Sequence, residues 1–104
     1  MDDCIFCQVI SGKLPSKPVY QDKDVMVIPD IHPQAPVHLL AIPKKHVAEF
    51  VAADDALLAR LTAVIKKIIK EQNIQGYRLV SNGEGAALID HLHIHILGSV
   101  DKYR

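Results

Sequence analysis

The chain has no tryptophan, and phenylalanine and tyrosine make up only 5% of its 104 residues. Aromatic platforms of the kind that stack single-stranded nucleic acid are therefore scarce. An excess of positive charge is missing too, since twelve Lys and Arg are offset by twelve Asp and Glu. A dedicated nucleic-acid binder draws much of its affinity from a basic face, so this balance argues against a nucleic-acid partner. No apolar run approaches the roughly 20 residues that span a bilayer, and no membrane partner is expected. The start, Met1-Asp2-Asp3-Cys4, lacks the basic and apolar stretches of a secretory leader, which makes a cytoplasmic location the expectation. Two cysteines are too few for a disulfide scaffold. What remains, 49% hydrophobic and 23% charged residues, is the composition of a globular protein. At this length a single domain over residues 1–104 is expected, with one core and little surplus stability. Against that plain background stand six histidines, three of them within five residues.

The coarse pattern is strands, one long helix, then strands, which indicates an α+β fold with a mainly antiparallel sheet. Residues 1–18, with Gly12, Pro15 and Pro18, read as a short helical turn and a loop. Residues 24–29 and 37–42 read as strands, joined by the proline connector Pro33-Gln34-Ala35-Pro36. Leu57, Leu58, Leu61, Val64, Ile65, Ile68 and Ile69 form one apolar stripe and predict a helix from about Asp54 to Gln72. Asp54 and Asp55 at its start and Lys66, Lys67 and Lys70 near its end suit the helix dipole, and Gly76 is expected to mark its exit. Residues 77–82 and 91–97 read as further strands.

The last of these carries the chemistry. His91-Leu92-His93-Ile94-His95-Ile96-Leu97 alternates strictly between histidine and aliphatic residues. In a strand Leu92, Ile94 and Ile96 face one way, toward the helix, and the histidines face the other at spacings of roughly 6.5–7 Å. Neutral imidazole is a good nucleophile toward phosphorus, and a protonated neighbour can supply a leaving group with a proton. The same row could hold a transition metal. A polar face without chemistry is the plain alternative.

Residues 91–97 match the His-φ-His-φ-His-φ-φ motif at every position, and the chain here resembles the histidine triad (HIT) family. The likeness covers nearly the whole length. Cys4-Ile5-Phe6-Cys7 with Gly12 and Pro15 is similar to the family's N-terminal segment. Asp30-Ile31-His32-Pro33-Gln34-Ala35-Pro36-Val37-His38 is similar to its D-x-x-P-x-x-P-x-H stretch, and Ile42-Pro43-Lys44-Lys45-His46 to its I-P-K-x-H stretch. The small nucleotide-binding branch is the nearest in pattern. The resemblance implies a five-stranded antiparallel sheet with one long helix and a short N-terminal helix, usually in a homodimer whose sheets join across the two-fold. It implies a hydrolase of purine nucleoside 5′-phosphoramidates or related adenylates. His93 would be the nucleophile and form a covalent nucleotidyl-histidine. His95 and His38 would bind phosphate and assist proton transfer, Asp30 would accept the ribose hydroxyls, and Asn82 would contact phosphate. The chemistry would need no metal.

Some of these residues have plainer readings alone: Asp30 and Asn82 as turn residues, His38 as a buried histidine with a satisfied hydrogen bond. Cys4-x-x-Cys7 is a common metal-ligand spacing but also fits two buried thiols or a redox pair. In zinc-binding bacterial relatives the resemblance assigns a structural zinc to this cysteine pair with the positions of His46 and His91. One departure stands out. Ala87 and Leu88, in the segment Gly83 to Asp90, occupy the places of the family's glutamine and hydroxyl residue, which normally hold phosphate oxygens. Gly83 and Gly85 could let backbone N–H groups replace them, or could form a plain tight turn. The chain also ends at Arg104, soon after the motif, which implies reduced leaving-group contacts from the C-terminal tail. Alternative activities are dinucleoside polyphosphate cleavage, a nucleotide-binding interaction module with little turnover, and a metallohydrolase using His91, His93 and His95.

Overall fold

The computed structural model describes residues 3–102, so the start at Met1-Asp2 and the end at Arg104 lie outside the described residues. A short helix, α1 (Ile5–Ile10), leads into β1 (Tyr20–Gln21), β2 (Val25–Pro29) and β3 (Val37–Pro43). A 3₁₀ turn (Phe50–Ala52) precedes α2 (Asp55–Glu71), and β4 (Arg78–Ser81) and β5 (Ile94–Gly98) follow. The strands form one antiparallel sheet in the order β1-β2-β3-β5-β4. The α+β fold with five strands and two helices is therefore present as expected. Among the described residues no helix is long and apolar enough to cross a membrane.

Each element follows from local chemistry. The Asp54 carboxylate accepts from the Leu57 N–H at 2.8 Å and caps α2 at its N-terminus. The exit differs from expectation: Asn73, at φ 51°, takes the left-handed position after Gln72, and Gly76, at φ 56°, serves the later turn toward β4. Asparagine tolerates this conformation because its short amide can bond locally. The strand β1 was not legible, because Gln21-Asp22-Lys23-Asp24 reads as a polar loop. The Asp22 carboxylate builds that loop into a hairpin by accepting from the N–H groups of Asp24 and Val25, both at 2.8 Å.

Both faces of the sheet are covered. The stripe of α2 (Leu61, Val64, Ile65, Ile68) packs on Val25, Val27, Leu39, Ala41, Ile94 and Ile96. On the opposite face Phe6 of α1 packs on Met26, Ile28, Leu40 and Ile42. This explains why β2 and β3 are buried almost throughout, whereas the edge strand β4 alternates. The reading of residues 91–97 as one strand needs correction. Pairing begins only at Ile94, because β4 leaves the ladder at Ser81 opposite Ile94, and the Leu92 N–H donates to the Val47 carbonyl at 2.7 Å. The alternation of faces nevertheless holds through Leu92, which lies in the α2-side core.

Gly98 closes β5 opposite Val37, where a Cβ would lie 2.8 Å from the Val37 Cβ and 2.7 Å from the Ile74 Cγ2. Gly98→Ala is expected to destabilise the fold by about 1–3 kcal/mol, an overpacking penalty, read as a lower urea midpoint.

Candidate active site

The face opposite α2 holds a cleft of about 790 Å³, a size suited to a nucleotide-scale ligand. The register of β3 and β5 builds its floor. His38 pairs with Leu97 and His95 pairs with Leu40, so the two histidines are diagonal neighbours on one face, with ring centroids 5.1 Å apart. His93 follows one step before the ladder, its ring 5.0 Å from that of His95. Ile5, Phe6 and Val9 of α1 form one wall, and Asp30 and Asn82 stand at the ends of β2 and β4. The structure thus brings His38, His93, His95, Asp30 and Asn82 to one cleft.

Hydrogen-bond partners decide which nitrogen of each ring carries a proton. A backbone N–H only donates, so the Gln34 N–H at 2.9 Å makes His38 Nδ1 an acceptor. Neutral His38 then carries its proton on Nε2 and donates to His95 Nδ1 at 2.9 Å. His95 in turn holds its own proton on Nε2. A backbone carbonyl only accepts, so His93 Nδ1–H donates to the His91 carbonyl at 2.8 Å, which leaves the lone pair on Nε2. The edge of Phe6 packs against the His93 ring, at a centroid distance of 4.9 Å, and holds its plane. Burial first, then the neighbouring His93 and His38, hold the His95 pKa below the ordinary imidazole value, partly offset by Asp30. The Asp30 carboxylate accepts from the His32 N–H at 2.8 Å and lies 3.4 Å from His38 Nε2. Its turn chemistry and its place in the cleft therefore coexist.

His91 does not join the row. It is fully buried, its Nε2–H donates to the Pro43 carbonyl at 2.8 Å, and its Nδ1 faces two sulfurs, Cys4 Sγ at 3.3 Å and Cys7 Sγ at 3.5 Å. Cys7 Sγ also lies 3.3 Å from His46 Nδ1. All four ligand atoms fall within 4.8 Å of one another. A tetrahedral zinc with ordinary bond lengths has sulfur–nitrogen edges of about 3.5 Å, so the donor set fits. The chemistry fits as well. Burial first, then the neighbouring Cys4, push the Cys7 thiol up, a strain that a dication relieves. Burial holds His91 neutral, and its second nitrogen is anchored on a carbonyl, as ligating histidines require.

Asp30, His38 and His95 also converge within 4.8 Å. The same test gives the opposite answer there. Because His38 Nδ1 accepts from a backbone N–H, a metal on Nε2 would require an imidazolate. This group is a hydrogen-bond chain. With both nitrogens of His91 turned elsewhere, His91, His93 and His95 do not meet at one point, contrary to the metallohydrolase alternative. The loop after Asn82 also resolves one expectation. Glu84 (φ 51°) and Gly85 (φ 85°) form a tight turn closed by Ala86 N–H to the Gly83 carbonyl at 3.1 Å, so the glycines make a turn, with the Ala86 N–H engaged in closing it. The Gln34 N–H and the Pro43 and His91 carbonyls were not foreseen, because main-chain groups leave no mark in a sequence.

Comparison with known proteins places this geometry. The family described as "Scavenger mRNA decapping enzyme C-term binding" matches residues 3–103. Protein HitA of Neisseria gonorrhoeae is 36% identical over 105 residues, spanning 95% of this chain and 98% of its own. A HIT family hydrolase from Clostridium thermocellum superposes with a TM-score of 0.91 at 37% identity, covering 100% of this chain and 96% of that one. A hypothetical histidine triad nucleotide-binding protein from Sulfolobus tokodaii strain 7 gives a TM-score of 0.85 at 37% identity, covering 96% and 71%. With the alternating motif set on β5 and its approach, and with relatives matched from end to end, the chain is a member of the histidine triad family.

Proposed function

We propose that the protein is a nucleotide-binding hydrolase that cleaves purine nucleoside 5′-phosphoramidates or related adenylates through a covalent nucleotidyl-histidine on His93. The observation that carries this reading is the His91 carbonyl on His93 Nδ1, which commits the His93 lone pair to Nε2 on the cleft floor. The apolar wall of Ile5, Phe6, Val9 and Ile28 suits a flat purine, and the Asp30 carboxylate suits the two ribose hydroxyl donors. His93 Nε2 attacks the α-phosphorus, and the bond to the departing atom breaks with its electron pair. The phosphate anion favours the charged form of His95 in the complex. His38 Nε2–H then turns to Asp30 Oδ2, already 3.4 Å away, and His95 passes its extra proton to the leaving group. Water attacks the nucleotidyl-histidine, returns a proton to His95 and frees the nucleoside monophosphate and neutral His93. Asn82, which follows β4 and lines the same cleft, would contact phosphate.

Cys4, Cys7, His46 and His91 would hold a zinc ion, which supplies structural cross-linking between α1 and the sheet. No step of the reaction runs through it. The homodimer is part of the same reading. Among the described residues no further strand lies outside β4, the last in the sheet order, and Leu79 and Phe50 are half-exposed near it, beside a cleft that also involves Leu58, Thr62 and Ile65, a surface that suits a second copy of the chain.

His93→Ala is expected to lower turnover of adenosine 5′-phosphoramidate by at least about 1,000-fold while AMP binding persists. Binding without turnover by the wild type would instead make the chain an interaction module. Titration by NMR should place the His95 ring below the ordinary imidazole pKa near 6.5, and AMP should move it up. The sign for stability follows. Below about pH 6.5 the unfolded chain takes up a proton that native His95 resists, so this contribution to stability falls as pH falls, and His95→Gln should flatten the dependence. Native mass spectrometry should give two chains with one zinc each, and Cys7→Ser should lose the metal but keep the fold of the sheet.

A further inference from the structure

We infer that the leaving group of the reaction proposed above is apolar, and that Leu88 selects it. The register sets where the phosphorus lies, and in-line displacement sets the direction in which the leaving group departs. Asp30 follows β2 and donates its N–H to the His38 carbonyl, and Asn82 follows Ser81, which pairs with Ile94, so it lies on the His93 side of the cleft. Between them lie β3 and β5, three strand spacings or about 14 Å in all. A nucleotide with its ribose at Asp30 has its phosphorus over His93 and His95. The bond that breaks lies in line with His93 Nε2, on the far side of the phosphorus from it, so the departing group leaves away from the floor, toward the mouth of the cleft that residues 86–89 help to line.

That loop is apolar where it meets the cleft. Ala86, Ala87, Leu88 and Ile89 all line it. Leu88 is fully exposed, at 104%, so its hydrocarbon is held in water by the loop with no packing role in the described fold. With Ala86, Ala87 and Ile89 beside it, Leu88 gives the mouth of the cleft a contiguous apolar surface of the kind that a ligand covers. The charges point the same way. The loop's ionisable groups are Glu84 and Asp90, and the one Lys or Arg lining the cleft among the described residues is Lys17, which follows α1. A polyphosphate leaving group would find no cation in residues 86–89, the part of the loop that lines the cleft. A hydrocarbon-bearing amine would instead cover Leu88. In that step the P–N bond breaks, the His93 Nε2–P bond forms, and the amine leaves with its electron pair and the proton from His95.

The test compares adenosine 5′-phosphoramidates of benzylamine and of ethanolamine, whose basicities are closely matched, with a dinucleoside polyphosphate as a third substrate. The wild type is expected to favour the benzyl substrate by about 10-fold in kcat/KM, the scale of a modest apolar contact, and to cleave the polyphosphate least. In Leu88→Ser the benzyl-to-ethanolamine ratio should fall toward unity. A wild-type ratio near unity, or a ratio that Leu88→Ser leaves unchanged, overturns the inference. Absence of turnover on every substrate would defeat the proposed reaction alone. Equilibrium binding of the two phosphoramidates then decides the leaving-group surface: tighter benzyl binding that Leu88→Ser abolishes upholds it, and equal binding overturns it.

Discussion

The antiparallel pairing of β3 with β5 is the interaction on which the rest of the molecule depends. It sets Leu39 against Ile96 and Ala41 against Ile94 on the α2 side, and in the same register sets His38 and His95 on the other. Because the side-chain period of a strand is two, a slip of one residue would send the histidines into the apolar core and the isoleucines into the cleft. Ile94 and Ile96 are buried beneath α2, so the hydrophobic effect that stabilises the fold also holds the histidine face in place. Fold stability and site geometry are here one constraint.

On that frame, main-chain groups divide four histidines into two systems. Two carbonyls receive ring N–H groups, from His91 at Pro43 and from His93 at His91, and so free the opposite nitrogens for sulfur-side and cleft-side roles. One backbone N–H, from Gln34, does the reverse to His38 and makes it the start of a proton-bearing chain to His95. Residues of one type, close together, thereby acquire a lone pair in one place and a proton in another. His91 joins the systems: its ring faces Cys4 and Cys7 while its carbonyl orients His93. The segment that links α1 to the sheet and the one that turns His93 Nε2 toward the cleft are consecutive in the chain.

Much of this was legible before any coordinates. The apolar stripe of α2, the strands around Val25 and Leu39, and the split between Leu92, Ile94, Ile96 and the histidines follow from periodicities of 3.6 and 2, which are local properties. Candidate site residues as scattered as Asp30, His46 and Asn82 were legible only through resemblance, since nothing in their immediate neighbours distinguishes a ligand or a contact from a turn residue, whereas Cys4 and Cys7 carried a metal-ligand spacing of their own. Two elements escaped. The strand β1 is held by the Asp22 turn and by its pairing with Val27 and Met26, which is tertiary, and the short turn at Phe50 carries no strong pattern. The expected seven-residue strand at His91 shrank at its start because whether a pleated segment is laddered depends on its neighbours as well as its sequence.

The sequence by itself determined which residue types are available and which side of an element each occupies, because backbone geometry imposes those periods whatever the rest of the chain does. It determined an alternating histidine segment, a capped amphipathic helix and a neutral overall charge. The tertiary structure alone decided that Cys4 and Cys7 meet His46 and His91, that His91 leaves the row, and which nitrogen of each ring is free. Those outcomes depend on contacts between residues up to 87 positions apart and on main-chain donors and acceptors that every residue carries alike. A sequence records side chains, whereas the direction of a proton on an imidazole is set by the backbone atom that folding brings beside it.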